Sequence, residues 1–421
     1  MNAVERALAK YVQVLEGKEA FASEPVRRAF QAVRRHRFLA GWYHPEIADL
    51  RVAYHLVEYD RQRPTPEALS EIYSDHAIIT QTDGFAPTSS TSQPLLVARM
   101  LELLDLEPGM RVLEIGTGTG YNAALLAEIV GSKGTICTVD VQEDVARRAE
   151  TYLQDEGYGS VRVFCRDGYL GAPEAAPFDR IVATVGCSDL SEHWLEQLAD
   201  GGTMLVPLQH GLSDPLVRLT KDPDSSMGAR GGVVDSSNFM PIQGALTWTT
   251  PWRDTLILGL PETPTWSRPL PDTLATDVDT AHPLKDDRHQ AFAFFLALAY
   301  RPLWYTNTGY GLADPGTSSV VTVTCDSIEG YTAVPARSGL DSLHDALLSL
   351  LEMWTDLGQP APSEYDLSLV PKANLGLSVP QGGTPGREWL IGRPFFREIV
   401  RLPADDRTSA GNGRNRPLTR R

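Results

Sequence analysis

One segment limits what this chain can fold into more than any other: residues 112–127, VLEIGTGTGYNAALLA. Residues of strand character run into Gly116, Gly118 and Gly120, and helix-forming residues follow without a break. Glycines at this density let the backbone turn sharply and let a ligand approach the first turn of the helix closely. The sequence downstream repeats the strand–helix alternation in GTICTVDV, EDVARRAETYLQDEG, VRVFCRDG, FDRIVATVG, HWLEQLAD and GTMLVPL. This pattern predicts an α/β fold over residues 86–245: a Rossmann-like, doubly wound and mainly parallel sheet with helices on both faces.

Spacing narrows the ligand. The loop reads GxGxG rather than the GxGxxG of dinucleotide binders, and Glu114 stands at the strand end just before it. Such a loop suits a cofactor without a pyrophosphate. Asp140 follows Gly120 by 20 residues and ends TICTVD, where a carboxylate can accept hydrogen bonds from both ribose hydroxyls. Asp167 and Gly168 end VRVFCRDG, placed to meet an adenine edge. Together the strand ends point to S-adenosylmethionine rather than a nicotinamide.

The flanking regions read differently. Residues 1–85 show helical spacing in VERALAKYVQVL and VRRAFQAVRRHRFL, with few strands. From residue 246 the composition shifts to Pro, Thr and Trp, and an α+β domain is expected over 246–404. Its helix candidates are HQAFAFFLALAY and SGLDSLHDALLSLLEMWTDLG, with a strand at SSVVTVTCD and a late segment REWLIGRPFFREIVRL. Residues 405–421 are polar, rich in Arg and Gly, and read as a disordered tail.

Charge and cysteine content exclude several classes. With 38 Lys+Arg against 54 Asp+Glu, the net charge of −16 argues against a nucleic-acid partner. Cys137, Cys165, Cys187 and Cys325 show no CxxC pair or metal-type spacing, so no metal is expected and a reducing compartment is favoured. The N-terminus is charged and no run approaches the roughly 18 apolar residues of a membrane span, so the reading is cytoplasmic with no membrane partner. His193 in SEHWLEQL reads as a partly exposed helix residue. Arg27, Arg28, Arg34, Arg35 and Arg37 read as a solvated helix face able to steer an acidic peptide.

The stretch TSQPLLVARMLELLDLEPGMRVLEIGTGTGYNAALLAEIVGSKGTICTVDV, with RDGYLGAPEAAPFDRIVATVG and LEQLADGGTMLVPL, resembles the protein-L-isoaspartate O-methyltransferases over roughly residues 20–245. By that resemblance the cofactor-binding set is Glu114, Gly116, Thr117, Gly118, Gly120, Asp140, Val141, Asp167 and Gly168. Asp140 stands where the family usually has Glu, and either carboxylate can hold a diol. In the family a Thr-Ile-Ser segment ahead of a Pro faces the substrate carboxylate, and the matching residues here are Ser90-Thr91-Ser92-Gln93-Pro94. Ser92 is the first catalytic candidate and Ser90, in place of the usual Thr, the second.

The chemistry agrees with hydroxyls there. An aspartyl-type carboxylate, of reference pKa about 3.9, is already ionised at neutral pH, so no strong base is required. The site needs to desolvate one oxygen and hold it in line with the methyl group. Read without the resemblance, the two serines equally suit a helix start before PLLVARML, since Ser is a favoured N-cap.

The family's repair enzymes normally end soon after the VPL strand, whereas this chain continues for about 175 residues. In that respect it resembles long forms associated with ribosomally made peptide clusters, including lanthipeptides, in which a chosen Asp of a modified precursor is methylated and passes through succinimide to isoaspartate. The resemblance therefore implies an S-adenosylmethionine-dependent carboxyl O-methyltransferase acting on an Asp of a modified precursor peptide. Repair of isoaspartyl residues in damaged proteins is the alternative in the same class, and a non-catalytic cofactor-binding module the alternative outside it.

Overall fold

The computed structural model describes residues 2–48, 51–84, 86–212, 214–222, 228–247, 261, 263–275, 283–300, 303–305, 309–314, 316–332, 338–372 and 387–403. The expected tail at 405–421 lies outside the described residues. The chain opens with α1 (Ala3–Gly17), where Asn2 and Glu5 exchange side-chain and backbone hydrogen bonds in a capping box, and α2 (Glu24–Ala32), with Pro25 in its first turn.

Beyond Ala32 the expectation of a helical N-terminal region is corrected. The helical period stops, and β1 (Gly41–Ala48) and β2 (Arg51–Glu58) form an antiparallel hairpin. After α3 (Pro66–Ile72) come β3 (Ile78–Thr82) and β4 (Pro87–Thr91), giving a four-stranded sheet in the order β2-β1-β3-β4. The segments GWYHPEIA and RVAYHLVE have a period of two on one side, the signature of strands, which the charged helix before them masks.

The central unit runs α4 (Pro94–Leu104), β5 (Arg111–Ile115), α5 (Tyr121–Val130), β6 (Thr135–Asp140), α6 (Glu143–Asp155), β7 (Arg162–Cys165), β8 (Phe178–Ala183), α7 (Glu192–Gln197), β9 (Leu198–Pro207), β10 (Asp214–Lys221) and β11 (Ala229–Ser237). Strands β5 to β9 pair in parallel, with β5 between β6 and β8. The chain order reverses at β5, the switch point where open α/β sheets bind ligands beyond the strand ends. Alternation along β5 serves both faces. Val112 packs with Leu101, Leu125 and Phe30, whereas Leu113 and Ile115 pack with Phe178, Ile181 and Trp194.

The later region contains β12 (Trp266–Pro269), α8 (Asp287–Ala299), β13 (Leu303–Tyr305), β14 (Tyr310–Asp314), β15 (Ser319–Val323), β16 (Ser327–Thr332), α9 (Ser338–Asp356), β17 (Asp366–Pro371), β18 (Glu388–Gly392) and β19 (Phe396–Arg401). Strands β12 to β16 form a sheet of their own, in the order β12-β16-β15-β14-β13. Strands β17 to β19 instead continue the central sheet, which has ten strands in the order β18-β19-β17-β11-β10-β9-β8-β5-β6-β7. Helix α8 lies between the two sheets. Its Phe294 joins the central core while Phe292 and Phe295 pack with Leu312, Val321 and Trp354, so an apolar surface all round the helix is buried.

Candidate active site

A cavity of roughly 900 Å³, measured out to its open mouth, lies beyond the ends of β5, β6 and β8. Its walls bring together the glycine loop, the end of β6, residues 88–92 and the loop after β8.

The glycine loop requires its glycines for backbone reasons. Gly116 has φ +100 and Gly118 φ +53, in the left-handed region. A Cβ on Gly116 would come within 2.9 Å of Thr184 Oγ1 and Val185 Cγ1, and one on Gly118 within 3.0 Å of the Ser90 carbonyl oxygen. The loop is therefore held tightly between the β8 end and β4. The Gly118 N–H donates to Asp140 Oδ2 at 3.0 Å, and the Gln142 N–H donates to Asp140 Oδ1 at 3.1 Å. Each carboxylate oxygen retains a lone pair for a further donor. These are the acceptors a ribose diol requires, so the residues present fit a nucleoside cofactor.

Glu114 is fully buried deep in the same wall. Asn122 Nδ2 donates to its Oε1 at 2.7 Å and Thr138 Oγ1 to its Oε2 at 2.6 Å. Thr138 spends its proton on Glu114, so Thr117 donates to Thr138, at 2.8 Å. Burial pushes the Glu114 carboxyl up to about 7, against the two side-chain donors that favour its charged form. Burial also raises Asp140 above its ordinary value.

Ser90, Ser92 and Val141 line the cavity, as do Glu114, Gly116, Thr117, Gly118, Asp140 and Gly168. Gly120 and Asp167 are not among the lining residues. Gly120 is the αL N-cap of α5 and faces Ala149 and Leu153. Asp167 accepts from the Tyr169 N–H at 2.9 Å and the Ala245 N–H at 2.9 Å, and so fastens the chain after β11. That chain, Phe239 to Gln243, crosses the cavity as a wall the sequence reading missed. Its residue types carry no chemistry, and the only local signal was an apolar NFMPI after a polar strand end.

The serine segment does not cap α4. The N-cap is Gln93, with no side-chain cap bond, and Asp75 Oδ1 accepts from the Leu95 N–H at 2.9 Å instead. The serines are thus not used by the helix start. Arg35 is corrected as well: it is fully buried, not on a solvated face. Its guanidinium donates to the carbonyls of Ile72, Ser74, His76 and Ser92, the last at 3.1 Å, and so fixes the backbone at Ser92. On the cofactor side, Gln142 Nε2 donates to the Thr88 carbonyl at 2.8 Å and Gln81 Nε2 to Gln142 Oε1 at 3.0 Å, tying β4 to the start of α6. His193 is outside the cavity and stacks edge-on against Tyr169.

Among the described residues no group of three or more His, Cys, Asp or Glu side chains is placed to hold a metal, and no helix is long and apolar enough to cross a membrane.

The model of a family described as protein-L-isoaspartate (D-aspartate) O-methyltransferase matches residues 43–245. A protein-L-isoaspartate O-methyltransferase of Thermotoga maritima is 41% identical over 145 residues, 34% of this chain and 45% of that protein. One from Anaeromyxobacter dehalogenans is 38% identical over 210 residues, 49% of this chain and 94% of that protein. The chain thus spans less than half the length of the first relative and nearly all of the second. A solved structure named protein-L-isoaspartate O-methyltransferase is 26% identical, with a TM-score of 0.50, over 86% of this chain and 96% of the other. At that coverage the likeness runs past residue 245.

Proposed function

The chain belongs to the protein-L-isoaspartate O-methyltransferase family of S-adenosylmethionine-dependent carboxyl methyltransferases, and from that premise we propose that it methylates the free α-carboxylate of isoaspartyl residues in peptides or proteins. The observation that carries this reading is one cavity walled on one side by the glycine loop and Asp140 and on the other by Ser90 to Ser92. S-adenosylmethionine, when bound, supplies an electrophilic methyl group on a sulfonium centre. Asp140 accepts the ribose hydroxyls, Gly116 and Gly118 let the backbone close on the ligand, and Glu114, when ionised, sets a negative charge at the depth of the cavity. Ser92 and Ser90 orient the acceptor carboxylate, and Arg35 keeps Ser92 in place through its carbonyl. The carboxylate is the nucleophile, so no residue need remove a proton.

Once the ester forms, the following backbone nitrogen attacks the ester carbonyl and loses its proton, and methoxide leaves as methanol. The succinimide then opens with water at either carbonyl. Restriction to one Asp of a precursor peptide would find its reason in the region past residue 245, and the solved isoaspartyl methyltransferase shares much of that length. That likeness favours the broader substrate. The scatter of the four cysteines along the sequence, with no CxxC pair, supports a reducing, cytoplasmic setting for the reaction. Intact-mass measurement with labelled cofactor, offered an isoaspartyl peptide and its Asp counterpart, tests it. Label is expected on the first alone; label on the Asp peptide alone returns the precursor reading.

Two further results are expected at the cofactor end. Asp140→Ala should weaken S-adenosylmethionine binding by about 1.5–3 kcal/mol, the range for hydrogen bonds to a charged group, with the fold intact. Unchanged affinity by calorimetry would remove Asp140 from the site. The Glu114 carboxyl, raised by burial to about 7, favours a cation only when ionised. Affinity for S-adenosylmethionine should therefore rise as pH increases from about 6 to about 8, and rise less for S-adenosylhomocysteine, which lacks the sulfonium charge. Glu114→Gln should flatten both curves. In the ligand-free protein the sign is opposite: the folded-state value is above the ordinary 4.5, so stability falls as pH rises from 4.5 through about 7.

A further inference from the structure

The N-terminal sheet carries an apolar side that the described fold leaves open. Residues directly opposite in neighbouring strands project to the same side. Leu56 of β2 is opposite Tyr43 of β1, Tyr43 is opposite Ile79 of β3, and Ile79 is opposite Ser90 of β4. These residues make one row, from the outer edge of the sheet to a serine that lines the cavity. Beside it, on the same side, Pro45 is opposite Tyr54, and Val52 continues β2. Leu56 is 55% exposed and Val52 42%. Tyr43, Tyr54 and Ile79 are half-buried and Pro45 is exposed.

The other side of the sheet is accounted for. Near the body of the protein it buries Trp42 and Ile78 against Leu39 and Ile72. Farther out it presents His44, Glu46 and His55, with His44 paired to Glu71 and His55 to Glu46. A ribbon with its polar side in water normally turns its apolar side to a core, and an open apolar strip of this kind marks a contact surface. The row also has no charged side chain between Leu56 and Ser90, on a protein of net charge −16. A peptide bringing a carboxylate to the cavity would meet less repulsion along it than over the acidic remainder.

We propose that this strip docks the apolar flank of the peptide or protein whose carboxyl group is methylated, an inference that rests on the isoaspartyl methyltransferase reading. Adjacent strands are about 4.8 Å apart, so the row from Ser90 to Leu56 spans roughly 14 Å, and an extended chain covers that in about four residues. The preferred substrate is then an isoaspartyl residue with aliphatic or aromatic side chains about three to five positions away.

The test compares two isoaspartyl peptides of equal length, one with Leu and Phe at those positions and one with Ser, on the full-length protein and on its Leu56→Asp/Val52→Asp variant. The wild-type protein is expected to show a KM about tenfold lower for the apolar peptide. In the variant the ratio should fall to within about twofold, with kcat, S-adenosylmethionine affinity and melting temperature unchanged. No flank preference in the wild type, or an undiminished ratio in the variant, overturns the proposal. Loss of melting temperature with the ratio intact assigns the strip to packing within the chain. Dissociation of a dimer in light scattering with the ratio intact assigns it to a second copy. Either result overturns the proposal as well. Transfer to neither peptide by the wild type would instead overturn the isoaspartyl reading itself.

Discussion

Arg393→Ala is expected to cost about 3–5 kcal/mol of folding stability, although the residue lies beyond residues 43–245, which the family model matches. Arg393 and Glu398 are buried, and Arg393 Nε donates to Glu398 Oε2 at 2.7 Å. Arg393 NH1 donates to the Ser188 carbonyl at 2.6 Å and the Gln209 carbonyl at 3.2 Å. The His210 ring joins them, with Nε2 at 2.9 Å from Glu398 Oε1 and its Nδ1–H donating to the Leu208 carbonyl. Burial alone would raise the Glu398 carboxyl, and Arg393 and His210 outweigh it and hold the group at about 2. Removing the guanidinium leaves that carboxylate buried beside a single partner.

Urea unfolding checks the cost, and its pH dependence checks the cause. Glu398 has its folded-state value below the ordinary 4.5, so its contribution is complete above 4.5 and is lost as pH falls towards about 2. Arg393→Ala should reduce that acid-side loss. Replacing Arg393 with Met and Glu398 with Leu together should restore much of the stability, because no buried charge is then left alone. A cost below about 1 kcal/mol for Arg393→Ala would mean the ion network is not a support of the fold.

The same contacts reach the cavity. Asp189 Oδ2 accepts from the Phe395 and Phe396 N–H groups at 2.5 and 3.0 Å, and Arg393 holds Ser188. Thr184 and Val185, a few residues earlier in the same loop, line the cavity. The turn between β18 and β19 thus braces one wall of the site, which neither REWLIGRPFFREIVRL nor GCSDLS displays by itself. The pairing of β17 with β11, Ala229 opposite Leu369, joins residues distant in sequence. Periodicity reports only the local conformation of each partner.

What the sequence did display follows the same logic. The glycine loop, Glu114 and Asp140 were legible because strand, turn and helix are contiguous there and the chemistry is written in residue type. Arg35 was hidden in a run of arginines that reads as a charged face, and only the end of α2 at Ala32 and the 3₁₀ turn from Arg35 to Phe38 rotate it inwards. The β1–β2 hairpin was hidden because the charged helical run before it masks the period of two in GWYHPEIA and RVAYHLVE.

Ser92→Ala should lower kcat about a hundredfold while leaving cofactor affinity and stability in place, the scale of loss expected when a reacting group is no longer held in line. The structure removes the competing explanation in advance. Asp75 serves the start of α4 through the Leu95 N–H, and the N-cap is Gln93, so the helix loses nothing with the Ser92 hydroxyl. The Ser92 backbone stays fixed by Arg35 in the variant. A carboxylate loses negative charge as it takes up a methyl group, so a donor on the attacking oxygen would retard the reaction. On the proposed reading the hydroxyl acts by orienting the group, which places its effect in kcat rather than in cofactor binding. Ser90→Ala should lose less, because Ser90 also meets the glycine loop through its carbonyl oxygen, 3.0 Å from where a Cβ on Gly118 would stand, and the substitution keeps that group. If Ser92→Ala instead lowers the melting temperature and retains full kcat, the serine is a structural residue and the carboxylate is oriented from elsewhere in the cavity, with Thr88 and Gln243 the next side chains to vary.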